Sequence, residues 1–180
     1  TNDGMLHAFN GDASSGTTTG GDEVWAYVPS FAIAGPSGTP NVDGMRALTN
    51  PLYSHRYYVD QTPRVADVDS LRVGANWDTV VATSSAWKTL LVSGMNKGGK
   101  GYFALDITDT KDDDTTSEAA LATKRLLWEF TDADMGFTYG KPLVTKTRKY
   151  GWVAVLSSGY NNTTGPNAGK GVLFVLNALT

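Results

Sequence analysis

Lys88-Thr89-Leu90-Leu91-Val92-Ser93-Gly94, followed after a Gly/Lys/Asn stretch by Gly101-Tyr102-Phe103-Ala104-Leu105-Asp106, is the passage that decides the fold. Its first half centres on the apolar run Leu90-Leu91-Val92 and is closed by glycine; its second half ends on an aspartate. Short continuous apolar runs fit strands covered on both faces. The link from Gly94 to Gly101 predicts a tight hairpin, with glycine supplying positive φ where the turn needs it.

The same plan returns in Trp152-Val153-Ala154-Val155-Leu156-Ser157-Ser158-Gly159 and Gly171-Val172-Leu173-Phe174-Val175-Leu176-Asn177. The opening Gly4-Met5-Leu6-His7-Ala8-Phe9-Asn10 matches the second half of the unit, and an aromatic strand follows two of the units, Val24-Trp25-Ala26-Tyr27 and Leu127-Trp128-Glu129-Phe130. A repeated supersecondary unit signals a stacked architecture, because one unit cannot bury its own faces. Apolar strand, Gly-rich hairpin, aromatic strand, variable loop and Trp strand make the four strands of a propeller blade. The expectation is all-β: a partial, modified β-propeller of about three four-stranded blades with long inter-blade loops. Residues 1–180 form one fragment of such a domain, with blades near 1–60, 61–130 and 131–180 and the outer two incomplete. Thr1-Asn2-Asp3-Gly4 and Asn177-Ala178-Leu179-Thr180 read as interior turns, so the chain is expected to be an excised piece.

Further strands are predicted at Glu23–Val28, closed by Pro29, and at Tyr57–Asp60, Pro63–Val68 and Asp78–Thr83. Asn10-Gly11 is a favoured turn dipeptide, and Ala119–Ala122 is the best helix candidate. Trp25 with Tyr27, and Trp128 with Phe130, share a strand face at i, i+2 spacing. Such pairs could stack on a sugar, but each ring buries about 150–250 Å², worth several kcal/mol at ~25 cal/mol per Å². Inter-blade packing is the stronger reading.

Composition narrows function by exclusion. A net charge of -3 and a pI near 5.2 offer no basic footprint for nucleic acid or an anionic membrane. The absence of cysteine removes disulfides, thiolate metal sites and a cysteine nucleophile. No apolar run approaches the ~20 residues of a membrane span, and no signal peptide opens the chain.

No chemical motif survives inspection. A calcium loop from Asp67-Val68-Asp69 toward Asp78 would need an oxygen ligand at its fifth position, glycine at its sixth and an acid at its twelfth; the chain has Leu71, Arg72 and Asp78. Asp106, Asp109, Asp112, Asp113, Asp114 and Glu118 form the densest acidic stretch, but Lys111 interrupts it and no glycine shapes it; it reads as a solvated loop. His7 and His55 sit in no metal or catalytic spacing. There is no Gly-x-Ser-x-Gly elbow. Gly94–Gly101 leads into a strand, whereas a phosphate cradle opens a helix. Asn161-Asn162-Thr163-Thr164 holds two sequons that read as turn residues of the loop 158–170. No residue is assigned as catalytic, cofactor-binding or metal-ligating, and the chain is not expected to be an enzyme.

Asn2-Asp3-Gly4-Met5-Leu6-His7-Ala8-Phe9 followed by Glu23-Val24-Trp25-Ala26-Tyr27-Val28-Pro29 resembles the C-terminal region of the PilC/PilY type IV pilus family. The order of His55–Asp60, Trp87–Gly94, Gly98–Asp106, Leu127–Phe130, Gly159–Asn161 and Gly171–Asn177 agrees over nearly the whole chain. This resemblance implies an exported protein at the cell surface, pilus tip or outer membrane. It would support pilus assembly, oppose retraction and mediate attachment. Its partners would be pilins or minor pilins and host or surface receptors, met through loops such as 11–22, 35–50, 109–120 and 160–170. The family's calcium loop is expected C-terminal to Thr180, outside this chain. The blade phrases also resemble quinoprotein repeats, the alternative being a fragment of a quinone-dependent dehydrogenase. Ala104-Leu105-Asp106 matches the start of that repeat, but Asp109 and Thr110 replace its Thr-Gly.

Overall fold

The computed structural model describes residues 1–12, 19–71, 83, 86–109 and 117–180. Among them, strands β1 (Leu6–Phe9) and β2 (Glu23–Tyr27) form a two-stranded sheet. Strands β3 (Arg64–Asp69), β4 (Trp87–Gly94), β5 (Tyr102–Asp106) and β6 (Leu126–Phe130) form a four-stranded meander in chain order. Strands β7 (Leu143–Thr147), β8 (Gly151–Ser157) and β9 (Leu173–Asn177) form a three-stranded sheet. Every pairing is antiparallel.

The middle sheet is the full blade, and its register explains the apolar run. Leu91 lies opposite Leu105 and Ser93 opposite Phe103, while Val92 lies opposite Ala104 and Gly94 opposite Tyr102. Because side chains alternate along a strand, the first set faces one neighbour and the second set the other. Leu91, Phe103 and Leu105 pack with Leu6, Trp25 and Tyr27 of the first sheet. Val92, Tyr102 and Ala104 pack with Ala154, Leu156, Phe174 and Leu176 of the third. Both faces are covered, so every residue from Leu90 to Gly94 and from Tyr102 to Leu105 is buried.

Each face carries one aromatic pair. Tyr27 meets Phe103 at 5.2 Å between centroids, and Phe130 meets Phe174 at 5.2 Å. The aromatic strands thus pack between sheets, as their spacing predicts. Strand β6 achieves this through a bulge: Ala104 pairs with Trp128 but Leu105 with Leu126. The extra residue lets Leu126 join the first face while Leu127 and Trp128 both join the second. Trp128 also donates its indole N–H to the Ala178 carbonyl at 3.2 Å.

Several expectations are corrected. Tyr57–Asp60 is not a strand, although Tyr58 and Val59 are buried; the segment crosses the first face as irregular backbone. Strand β7 was not anticipated, because Thr145, Lys146 and Thr147 interrupt its apolar pattern. Nor were helix α1 (Ser30–Ala34) and the 3₁₀ turn Met45–Thr49. The expected Ala119–Ala122 helix is longer, α2 (Glu118–Arg125), with Ser117 Oγ accepting from Ala120 N–H and Lys124 and Arg125 in its last turn. Those cations suit the negative end of the helix dipole. The expected strand at 78–83 lies, except for Thr83, outside the described residues.

The hairpin glycines are also used differently from expectation. Between Gly94 and Gly101 the residue with positive φ is Asn96, at 49°. The glycines instead permit close approach. A Cβ on Gly98 would collide with the Tyr58 carbonyl, one on Gly101 with the Phe31 ring, and one on Gly94 with Thr138.

Phe103 is fully buried between sheets. Phe103→Ala is expected to lower unfolding free energy by about 3–5 kcal/mol in denaturant titration. A loss below about 1 kcal/mol would contradict its place in the core.

Candidate functional site

Three polar junctions hold the surface segments on this scaffold. The first joins the β2–α1 corner to the blade. Glu129 Oε1 accepts from the Tyr27 hydroxyl and the Ser30 N–H, each at 2.7 Å, and Oε2 accepts from the Ser30 hydroxyl. Burial and the adjacent Glu129 carboxylate push the Tyr27 phenol well above its ordinary pKa, so it remains a neutral donor.

The second junction surrounds the buried Gln61. Its amide donates to the carbonyls of Thr138 at 2.7 Å and Gly140 at 3.1 Å, and its carbonyl accepts from the Gly94 N–H. Thr138 Oγ1 accepts from Met95 N–H at 2.8 Å and donates to the Gly101 carbonyl at 3.0 Å. The Tyr102 hydroxyl reaches the Gly140 carbonyl at 3.0 Å. Hairpin, blade entry and the lead-in to β7 are thereby tied together.

The third junction orders the loop 158–170. Asp134 accepts from the Asn167 backbone N–H at 2.6 Å and from its side-chain amide at 2.8 Å. Asn162 donates to the carbonyls of Asn167 and Lys170. Asn161–Thr164 lie in this loop as irregular backbone just before a turn at 166–169, with Asn161 at φ 61°.

The residues weighed for chemistry are dispersed. Asp67 accepts from the Thr89 hydroxyl across the strand pair, and Asp69 from the Leu71 N–H; Asp78 lies outside the described residues. Asp106 is bound by Lys88 at 2.6 Å and by Thr108. Burial would raise its pKa, but the hydrogen bonds from Lys88 and Thr108 outweigh it and lower the value. Asp109 pairs with Lys124 at 2.7 Å, Glu118 stands in the first turn of α2, and Asp112–Asp114 lie outside the described residues. Among the described residues no three His, Cys, Asp or Glu side chains converge on a metal position. His55 packs edge-on against Tyr57 at 4.9 Å.

His7 occupies a setting the linear sequence does not reveal. Its Nε2 meets Asp3 Oδ2 at 2.6 Å and its Nδ1 meets Glu23 Oε1 at 2.5 Å. Hydrogen bonds to Glu23 and Asp3 raise its pKa against the smaller cost of burial. For Asp3 burial opposes ionisation, yet hydrogen bonds from Thr1, Met5 and His7 hold it at about 2. With acceptors on both ring nitrogens, the imidazolium form satisfies the site.

Of the expected working loops, 35–50 and 160–170 are fully described, while 11–22 and 109–120 are described only in part. Ser37 donates from backbone and hydroxyl to Asp43, and the Tyr58 hydroxyl donates to the Gly44 carbonyl, so the first of these loops is also anchored.

Antiparallel sheets stacked face to face, with aromatic strands between them and anchored loops outside, define a β-propeller segment. Comparison with known proteins gives the family. The model of the PilY1 beta-propeller domain matches residues 1–180, and the chain belongs to that family. It is 32% identical over 182 residues to a type IV pilus biogenesis factor PilY1 homolog of Xylella fastidiosa, covering 99% of this chain and 10% of that protein. It is 34% identical over 167 residues to the type IV pilus biogenesis factor PilY1 of Pseudomonas aeruginosa, covering 89% of this chain and 11% of that protein. The crystal structure of the Pseudomonas aeruginosa PilY1 C-terminal domain matches with a TM-score of 0.58 and 27% identity, over 99% of this chain and 26% of that one. The chain thus spans about a tenth of the curated relatives it matches. The family is one of pilus biogenesis factors, which displaces the quinone-dependent dehydrogenase alternative.

Two outcomes are expected. Gln61→Leu leaves the buried Gly94 N–H without its acceptor and should cost about 1–3 kcal/mol in denaturant titration; a neutral result would remove Gln61 from the junction. His7, with a raised folded pKa, stabilises fully below the unfolded value of 6.5 and progressively less as pH rises through the folded value. Asp3 contributes above 3.8 and loses its contribution as pH falls toward about 2. The stability difference between the native chain and His7→Gln should therefore be larger near about pH 5 than near about pH 9. An equal difference at both would contradict a charged His7.

Proposed function

We propose that this chain is a non-catalytic propeller segment of an exported type IV pilus biogenesis factor, which supports pilus assembly, opposes retraction and contributes to surface attachment. The observation that carries this reading is the full-length match to the PilY1 propeller family, whose curated relatives are named type IV pilus biogenesis factors. Glu129, Asp134, Asp106 and Gln61 are spent on holding segments in place.

Leu143, Leu173 and Val175 lie exposed on the side of the third sheet away from the blade, the kind of surface that propeller blades bury against one another. No helix among the described residues is long and apolar enough to cross a membrane. On this reading, the chain's partners are pilins or minor pilins and surface receptors. The calcium expected of the family belongs, on this reading, C-terminal to Thr180.

In-frame removal of these residues from the full-length protein that carries them should sharply reduce surface pili and pilus-driven motility. Blocking pilus retraction in the same cells should restore surface pili if the segment opposes retraction. Unchanged piliation and motility after removal would overturn the proposal.

A further inference from the structure

Asn161-Asn162-Thr163-Thr164 carries two overlapping Asn-x-Thr triplets, one from Asn161 to Thr163 and one from Asn162 to Thr164. Each has the acceptor pattern for an N-linked saccharide, a bulky group that only a surface loop accommodates. The triplets lie one residue apart in the same loop, and the linear order does not separate them. Their surroundings do.

In the second triplet both polar side chains are already engaged. Asn162 is buried, and its amide nitrogen donates to the carbonyls of Asn167 at 3.3 Å and Lys170 at 2.8 Å. The Thr164 hydroxyl donates to the Ala133 carbonyl at 3.0 Å. Gly165 follows at φ 85°, so close to Ala133 and Asp134 that a Cβ there would collide with both. Releasing Asn162 would leave its two acceptors unpaired, which costs more than the bonds contribute when made.

In the first triplet both polar side chains are open. Asn161 and Thr163 are exposed, and neither side chain makes a hydrogen bond among the described residues. The chain just before them is pinned: Phe137 N–H meets the Tyr160 carbonyl at 2.7 Å, and Tyr160 N–H meets the Phe137 carbonyl at 2.8 Å. The Tyr160 side chain is 69% exposed, so the surface beside Asn161 is open. Residues 161–163 therefore form a short exposed arch between two anchored points.

We propose that Asn161 is the acceptor of an N-linked saccharide and that the fold excludes Asn162. In the transfer, Asn161 Nδ2 forms a bond to the anomeric carbon of a nucleoside-diphosphate hexose. The bond from that carbon to the diphosphate oxygen breaks, and the nucleoside diphosphate leaves with the electron pair. The amide gives one proton to a base of the transferase, which reads the triplet through the Thr163 hydroxyl. The inference uses only this loop and stands apart from the pilus reading.

The first test is peptide mapping by mass spectrometry of the full-length protein from the cells that make it. A saccharide on Asn161 and none on Asn162 is expected; an unmodified Asn161 would overturn the proposal. The second test gives the whole folded chain UDP-glucose and a soluble glucosyltransferase specific for Asn-x-Ser/Thr. Transfer to Asn161 should exceed transfer to Asn162 at least about tenfold, because Asn162 must first give up two hydrogen bonds. Thr163→Ala should abolish transfer to Asn161, Thr163→Ser should retain it, and Thr164→Ala should leave it unchanged. A synthetic peptide of residues 156–168, free of the fold, should lose the preference between the two asparagines. Equal transfer to both in the folded chain, the same preference in the peptide, or indifference to Thr163→Ala would each overturn the assignment.

Discussion

The structure depends on the close approach of the β4–β5 hairpin to three other segments at once. Gly98 lies against the Tyr58 backbone, Gly101 beneath the Phe31 ring, and Gly94 against Thr138. None of these positions tolerates a Cβ without displacement. The contact brings the buried Gln61 amide within bonding distance of Gly94, Thr138 and Gly140. Removing a buried partner leaves groups that cost more unpaired than the bond contributes when made. The hairpin is thus both a turn and the point at which the chain segments before and after the blade are registered on it.

From that registration the two-sided burial of the blade follows. Leu91, Phe103 and Leu105 are fixed toward the first sheet and Val92, Tyr102 and Ala104 toward the third. A slip of one residue would exchange the two sets. The bulge in β6 is the local adjustment that lets a single strand serve both faces, sending Leu126 one way and Leu127 with Trp128 the other. Stacked units of this kind draw stability from their neighbours more than from themselves, which makes the face of β7–β9 bearing Leu143, Leu173 and Val175 a continuation of the same logic.

Outside the stacked sheets the connecting segments are fastened one by one. The loop 160–170 is held by Asp134 and Asn162, the corner after β2 by Glu129, and the segment 35–50 by Asp43 and Tyr58. Asp67, Asp69, Asp106 and Asp109, which read as possible ion ligands along the chain, are each taken up by a hydroxyl, a backbone amide or a lysine. The His7 contacts with Asp3 and Glu23 are a strand-to-turn fastening of the same kind, distinguished by the imidazole at their centre.

Much of the blade was legible in the linear order of residues. Apolar runs such as Leu90–Val92, repeated glycines and paired aromatics express the local rules of strands covered on both faces, and those rules act over two to six residues. Sequence therefore determined the all-β class, the repeat and the inter-sheet role of Trp25, Tyr27, Trp128 and Phe130. It misplaced Tyr57–Asp60, because Tyr-Tyr-Val has strand propensity yet its backbone is held by Gly98 and Asn96, some 40 residues further along. It missed β7, whose polar residues become strand through pairing with β8. It assigned the hairpin glycines to backbone conformation, whereas steric contact with distant segments requires them. Only tertiary structure decided the Gln61 junction and the His7 cluster, because each joins residues that are remote in sequence and carry no pattern until the sheets have stacked.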